Sequence, residues 1–256
     1  MKTQDELKVV IIGDGNSTAQ LATRMEEVNS GATVQFLAGP RVPDEPVAAW
    51  LAKVAAETES ADWLVVGLHR NPAVAKSVLQ GVHRLAPQAV LWNSLSTCTA
   101  TEATAWLNQS PVYGWSHVGP QWNALECSAP LQKADRESGL GLPLPLLDTW
   151  EVLTGMDAAE IVDSPGGVQA RIVHSLINEA AMALKEQLCS PENLDMAMKL
   201  GVNYPEGPLH WANRIGLETV LATMECLYRN YGEERYRPAP LLRDMALAQV
   251  SFNVKE

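Results

Sequence analysis

The run Gly13-Asp14-Gly15-Asn16-Ser17-Thr18 closes a β-branched stretch, Lys8-Val9-Val10-Ile11-Ile12, and opens a segment of helical periodicity. A glycine-rich turn between a buried strand and a helix is where the pyrophosphate of a dinucleotide is held. The first glycine permits the tight turn, the second lets the pyrophosphate approach the backbone, and a third lets helix and strand pack closely. Gly13 and Gly15 supply the first two and are candidate cofactor residues, whereas Thr18 stands in the third place. Asp14 sets a negative charge beside the expected phosphate. The acid that would hold the ribose hydroxyls after a second strand is missing, because Ala38 and Gly39 follow Phe36-Leu37. Arg41 is a candidate partner for a 2′-phosphate, which keeps NADP as the alternative to NAD. The plain alternative is a turn that needs glycines and binds nothing. His117, in Gly114-Trp115-Ser116-His117-Val118-Gly119-Pro120, is the candidate general base, since an imidazole accepts a hydroxyl proton near neutral pH. A His in such a context, taken alone, is more often structural.

The elements that must position these residues follow from periodicity. Short apolar runs at 8–12 and 63–67 read as buried strands, those at 33–37 and 89–92 as two further strands, and helical spacing appears at 17–28, 47–56 and 74–85. Strands alternating with helices of this length predict a doubly wound parallel sheet, with the loops after Ile12, Leu37, Val66 and Trp92 on the ligand-binding edge. The segment 138–147, rich in Gly, Pro and Leu, reads as a loop crossing the surface. Asp163-Ser164-Pro165-Gly166 is a stronger break, and helical spacing follows at 168–188, 191–200, 209–230 and 240–250. The expected fold is α/β, a Rossmann-like domain over 1–163 followed by an all-α domain over 164–256. Ser190 and Pro191 mark one helix start, with Glu192 and Asp195 in its first turns.

Composition narrows the function classes. A net charge of -11 over 256 residues argues against a general nucleic-acid binder, which needs clustered Lys and Arg. No stretch approaches the roughly 20 apolar residues of a spanning helix. Residues 1–8 are polar and carry no leader, so a cytoplasmic protein without a membrane partner is expected. Cys98, Cys127, Cys189 and Cys226 show no metal-ligand spacing, so no metal is expected and the thiols read as reduced and mostly buried.

The last third of the chain carries Ser164-Pro165-Gly166-Gly167-Val168-Gln169-Ala170-Arg171, then Asp195-Met196-Ala197-Met198-Lys199-Leu200-Gly201, Tyr204-Pro205-Glu206-Gly207-Pro208 and Arg235-Tyr236-Arg237-Pro238. In order and spacing it resembles the C-terminal helical domain of the 3-hydroxyacyl-CoA dehydrogenases. The resemblance implies hydride transfer between a nicotinamide cofactor and the 3-hydroxyl or 3-keto group of an acyl-CoA or related small hydroxy acid, in fatty acid metabolism. In that family a strand bearing Gly, a large apolar residue and His leads into Asn-Pro, and a Glu follows in a Leu-Val-Glu context. His117 takes the part of that His with one residue more before it and one fewer before Pro120, and Glu126 in Ala124-Leu125-Glu126 takes the part of the Glu. A carboxylate against the ring would fix its tautomer and stabilise the imidazolium. Asn93-Ser94-Leu95-Ser96-Thr97 matches the family's Asn-Thr-Ser-Ser, which makes Ser96 the hydroxyl ligand of the substrate oxygen and places Asn93 with Gly13 and Gly15 on the cofactor.

The chain departs from the pattern at Ala170, where the family's Pro-Gly-Phe-x-x-Asn-Arg has an Asn that binds the thioester carbonyl. Loss of one such donor costs on the order of 10² to 10³ in rate elsewhere. Only residues 42–60 stand where relatives carry a long helical hairpin that contacts CoA. Two functions follow: an active oxidoreductase, or a catalytically impaired member acting as a ligand-binding or scaffold protein. The resemblance also implies a homodimer through the helical domain, for which Ile215, Val220, Met224 and Leu227, flanked by Leu217, Leu221 and Tyr228, offer an apolar face.

Overall fold

The computed structural model describes residues 6–28, 30–40, 44–68, 72–118, 123–131 and 141–254. Its sheet is built from β1 (Lys8–Gly13), β2 (Thr33–Ala38), β3 (Trp63–Gly67), β4 (Val90–Ser94), β5 (Val112–Ser116), β6 (Ala124–Ser128) and β7 (Asp157–Glu160). The strand order is β2-β1-β3-β4-β5-β6-β7. All neighbours run parallel except β5 and β6. β1 and β3 are buried along nearly their whole length, as strands between two helical layers must be.

The helices of this part are α1 (Asn16–Val28), α2 (Val47–Lys53), α3 (Ala55–Glu59), α4 (Pro72–Leu85), α5 (Ala100–Trp106) and α6 (Leu144–Thr154). One face of the sheet packs Val10, Ile12, Leu64 and Val66 against Val78, Leu79 and Val82 of α4 and Ala103 of α5. The other packs Val9, Ile11, Val65, Trp92 and Trp115 against Leu21 and Met25 of α1 and Trp150 and Leu153 of α6. α4 can do this because Ala75, Val78, Leu79 and Val82 recur at helical spacing on one side. The 47–56 segment divides at Val54, whose N–H donates to Trp50 O and starts a second short helix. The segment 138–147 is corrected in part: a helix begins at Leu144, after Pro143, and residues 132–140 lie outside those described.

The helical part comprises α7 (Gln169–Lys185), α8 (Pro191–Val202), α9 (Pro208–Ile215), α10 (Leu217–Tyr231) and α11 (Pro240–Ala248). Ser190 caps α8 by accepting from Asn193 N at 3.3 Å, as its sequence signature requires. Gly216, at φ +97, separates α9 from α10 where one helix is expected, because only glycine adopts that backbone readily. The dimer face read from periodicity is corrected here. Ile215, Val220, Met224 and Leu227 are buried in the core of the helical part itself. Among the apolar groups of this part left open are three on α8, where Met196 is 56%, Leu200 80% and Val202 53% exposed.

Candidate functional site

The carboxyl edge of β1 is bare backbone. Gly13 stands in register with Ala38 of β2 and Gly67 of β3, which is the point where the strand order reverses and a ligand crevice opens. Thr18 turns inward there and is fully buried, with Oγ1 donating to Gly67 O at 3.1 Å. A Cβ on Gly13 or on Gly67 would overlap its side chain. The missing third glycine is therefore no fault: helix and strand approach closely because glycines at 13 and 67 make room for a threonine on the helix. Thr18 fills no part of the outer turn, where Asp14 and Gly15 are half-buried and Asn16 is exposed. The start of α1, a helix of 13 residues, adjoins that opening. Backbone without side chains, next to a helix N-terminus at the switch point, fits a dinucleotide pyrophosphate. Arg41, the alternative partner for a 2′-phosphate, lies outside the described residues.

The loop after β4 is closely packed. Asn93 is 1% exposed, and its Nδ2 donates to Ser94 O at 2.9 Å, Cys98 Sγ at 3.2 Å and Thr97 Oγ1 at 3.4 Å. Ser96 is 6% exposed, and its N–H donates to Ser94 Oγ at 3.3 Å. Thr99 and Glu102 then form a reciprocal capping box that starts α5. Asp163 reinforces that start, accepting from Ala100 N at 2.9 Å and Thr101 N at 2.8 Å. The helical part is fastened to this loop, since Gly166 N donates to Leu95 O at 2.7 Å and the Arg229 guanidinium to Thr97 O at 2.9 Å.

His117 and Glu126 are not brought together. Ser116 is the cross-strand partner of Glu126, as Trp115 is of Cys127. Trp115, Leu125 and Cys127 face α1 and α6, so Ser116 and Glu126 face the opposite side by the alternation of strands. His117, one residue on, turns back towards α1, where the charge of Arg24 reaches it. Its Nδ1 lies 3.3 Å from Ala124 O, so the carbonyl holds that nitrogen as the donor and leaves Nε2 as the acceptor. Burial lowers the His117 pKa, partly offset by the Ala124 carbonyl, and Arg24 lowers it further; the ring is held neutral. The expected His–Glu hydrogen bond thus fails because a shift of one residue moves a side chain to the other face.

The Glu126 carboxylate is instead committed to α7. It accepts from Val168 N at 2.9 Å and from Gln169 N at 3.0 Å, the open donors of a helix whose own N-cap residue, Val168, has no side-chain acceptor. Burial raises its pKa, opposed by the N–H groups of Gln169 and Val168 and by Arg171. Gly167 makes this approach available: its φ is +68 and a Cβ there would overlap the carboxylate. Ser116 Oγ donates to Gly166 O at 2.9 Å, closing the same joint. Ser116 is the residue that sequence reasoning passed over. The signal was there, since Gly114-Trp115-Ser116 runs to Pro120 without the inserted residue that His117 requires and puts Ser116 in the place of the family's His. Ala170 is 2% exposed and packs in the helical core.

Residues 166–251 match the model of the 3-hydroxyacyl-CoA dehydrogenase C-terminal domain. A probable 3-hydroxybutyryl-CoA dehydrogenase of Bacillus subtilis is 33% identical over 191 residues, which are 73% of this chain and 64% of that protein. Residues 166–251 thus carry the C-terminal domain of the 3-hydroxyacyl-CoA dehydrogenases. The 3-hydroxyadipyl-CoA dehydrogenase of Escherichia coli is 45% identical over 98 residues, 38% of this chain and 21% of that one. The chain thus spans less than two thirds of the length of these curated relatives. The crystal structure of an (S)-3-hydroxybutyryl-CoA dehydrogenase from Ralstonia eutropha superposes with a TM-score of 0.65 at 24% identity, covering 97% of this chain and 96% of that one, and shares the fold. The domain match accounts for the helical motifs, and the shared fold for the parallel sheet that carries the glycine turn. Among the described residues no helix is long and apolar enough to cross a membrane, and Cys98, Cys127 and Cys226 are buried while Cys189 is exposed.

Proposed function

We propose that the chain is a nicotinamide-dependent oxidoreductase acting at the 3-position of a short 3-hydroxyacyl thioester or a related hydroxy acid, with NAD as the cofactor. The observation that carries this reading is the family's C-terminal domain packed against a parallel sheet whose first turn, Gly13 to Gly15, offers bare backbone and a helix start at the switch point. Bound nicotinamide would supply the hydride acceptor. Gly13, Gly15 and the start of α1 would hold the diphosphate, with Asn93 at the carboxyl end of β4 on the same cofactor. Ser96 would meet the substrate oxygen. His117 would take the hydroxyl proton at Nε2, its ring oriented by the Ala124 carbonyl rather than by Glu126. A neutral imidazole is the form a base needs, and burial favours it. The division near Ser164 is proposed as the domain boundary. The exposed Met196 and Leu200 of α8, four residues apart on one side of the helix, are proposed as the contact of a homodimer, since apolar side chains left in water favour a partner.

The test is the absorbance of reduced nicotinamide with 3-hydroxybutyryl-CoA and NAD, run in reverse with acetoacetyl-CoA. Turnover is expected, and His117→Ala should lower it by about 10² or more. No absorbance change in either direction, with folded protein, would overturn the reading. A second reading, a member of the family that binds ligand without turnover, is favoured by one joint: Ser116 where the family has His, and a Glu126 carboxylate occupied by α7. Nicotinamide-induced thermal stabilisation without turnover is its signature, about 2.7 kcal/mol at a ligand concentration 100 times the dissociation constant.

A further inference from the structure

We infer that Asp14 replaces the missing acid at the end of β2: on the nicotinamide reading above, it receives the adenosine ribose hydroxyls and selects the dinucleotide without a 2′-phosphate. In the usual arrangement that acid grows from the residue just beyond the second strand. Here that place is closed. Gly39 is buried, and a Cβ on it would overlap the side chain of Leu68, itself 2% exposed, so no longer side chain fits. Ala38 ends the strand with a methyl group.

The chain supplies a carboxylate from the neighbouring strand end. Gly13 and Ala38 are in register, and Gly39 N donates to Gly13 O at 2.8 Å, so the residue after β1 lies beside the residue after β2. The Cβ of Asp14 is 3.8 Å from the point where a Cβ on Gly39 would stand. An acid that cannot grow from position 39 therefore grows from position 14, one strand over, into the same neighbourhood. Asp14 N donates to Gly67 O at 3.4 Å, which ties the residue across the top of β1. The side chain is half-buried, so it borders the opening rather than the core.

The chemistry follows from charge. A carboxylate has only acceptors and can take both hydroxyls of a vicinal diol. It repels a phosphate placed on the same ribose, because two negative charges a few ångströms apart at a partly shielded site oppose each other strongly. The negative charge that looks like a fault beside the diphosphate becomes the feature that reads the sugar. The start of α1, with its N–H donors, still faces the diphosphate.

The experiment is equilibrium binding of NADH and NADPH to the full chain, read by energy transfer from its 8 tryptophans to the reduced nicotinamide. The parent, Asp14→Asn and Asp14→Ser are compared, with a thermal melt of each to confirm the fold. The parent should bind NADH tighter than NADPH by roughly tenfold or more. Both variants should bring the two affinities within about twofold of each other, by weakening NADH and strengthening NADPH. Equal affinities in the parent, or a preference for NADH that survives in both variants, would overturn the assignment of Asp14 and leave the nicotinamide reading standing. Binding of neither nucleotide at millimolar concentration would overturn both.

Discussion

Removing the Glu126 carboxylate tests the joint between sheet and helices directly. In Glu126→Ala the N–H groups of Val168 and Gln169 lose their acceptor at the start of a helix of 17 residues. Loss of a helix cap costs about 0.5 to 2 kcal/mol, and hydrogen bonds to a charged group are at the upper end of the usual range. Against this stands the cost of burying the carboxylate, which is why burial is the leading cause of its raised pKa. A net loss of about 2 kcal/mol results, and for a chain of this size that lowers the melting temperature by roughly 4 to 8 °C. Glu126→Gln keeps one acceptor and sheds the desolvated charge, so it should cost under about 1 kcal/mol. The two variants also separate by pH. The folded carboxyl titrates above its ordinary 4.5, so the folded chain holds this proton more tightly than the unfolded one. Its contribution is complete below that ordinary value and is lost as pH rises through the raised one. The stability of the parent relative to Glu126→Gln should therefore be greatest in acid and decline towards neutral pH. Urea unfolding of parent and both variants between pH 4 and pH 7 measures this. A Glu126→Ala variant as stable as the parent would refute the capping role, and a parent-to-Gln difference flat across that range would refute the dominance of burial over those hydrogen bonds.

The threonine in the glycine turn makes a second prediction. Gly67→Ala should lower stability through overlap with Thr18, and Thr18→Gly in the same chain should recover part of the loss, a non-additive pair in thermal melts; two effects that simply add would show that the side chains do not meet. The α8 face makes a third. Leu200→Glu should convert a dimer to a species near the 27.8 kDa of the chain in sedimentation equilibrium, and a parent that already sediments there would dispose of the dimer.

The first four strands of the chain were legible because each is a short run rich in apolar residues set between segments of helical spacing, and α8 because Ser190-Pro191 is a local start signal. β6 was not legible as a strand. Five residues, Ala124–Ser128, cannot declare that they run antiparallel to β5, and the direction decides which side chains face each other. His117 failed as the partner of Glu126 for the same reason: its residue type is suited to the chemistry, but facing is set by a one-residue register that only the pairing reveals. Gly216 breaks a helix that periodicity runs through, because its backbone angle is a tertiary choice. Periodicity also groups Ile215, Val220, Met224 and Leu227 on one face without saying that the chain's own helices cover it. Thr18 looked like a defect because its compensation, Gly67, lies on another strand.

Three helices take their starts from carboxylates far away in sequence: α7 from Glu126, α5 in part from Asp163, and α9 from Asp195, which accepts from Leu209 N at 2.9 Å and His210 N at 3.0 Å. During synthesis the chain emerges from its N-terminus. α5 carries its own capping box and can begin at once, with Asp163 securing it when that residue arrives. α7 has no such local signal and begins against a strand already made. A polypeptide starting at residue 164 would keep the whole family match yet lack the group that starts its first helix. The recognisable unit of evolution and the self-sufficient unit of folding are therefore not the same stretch of this chain.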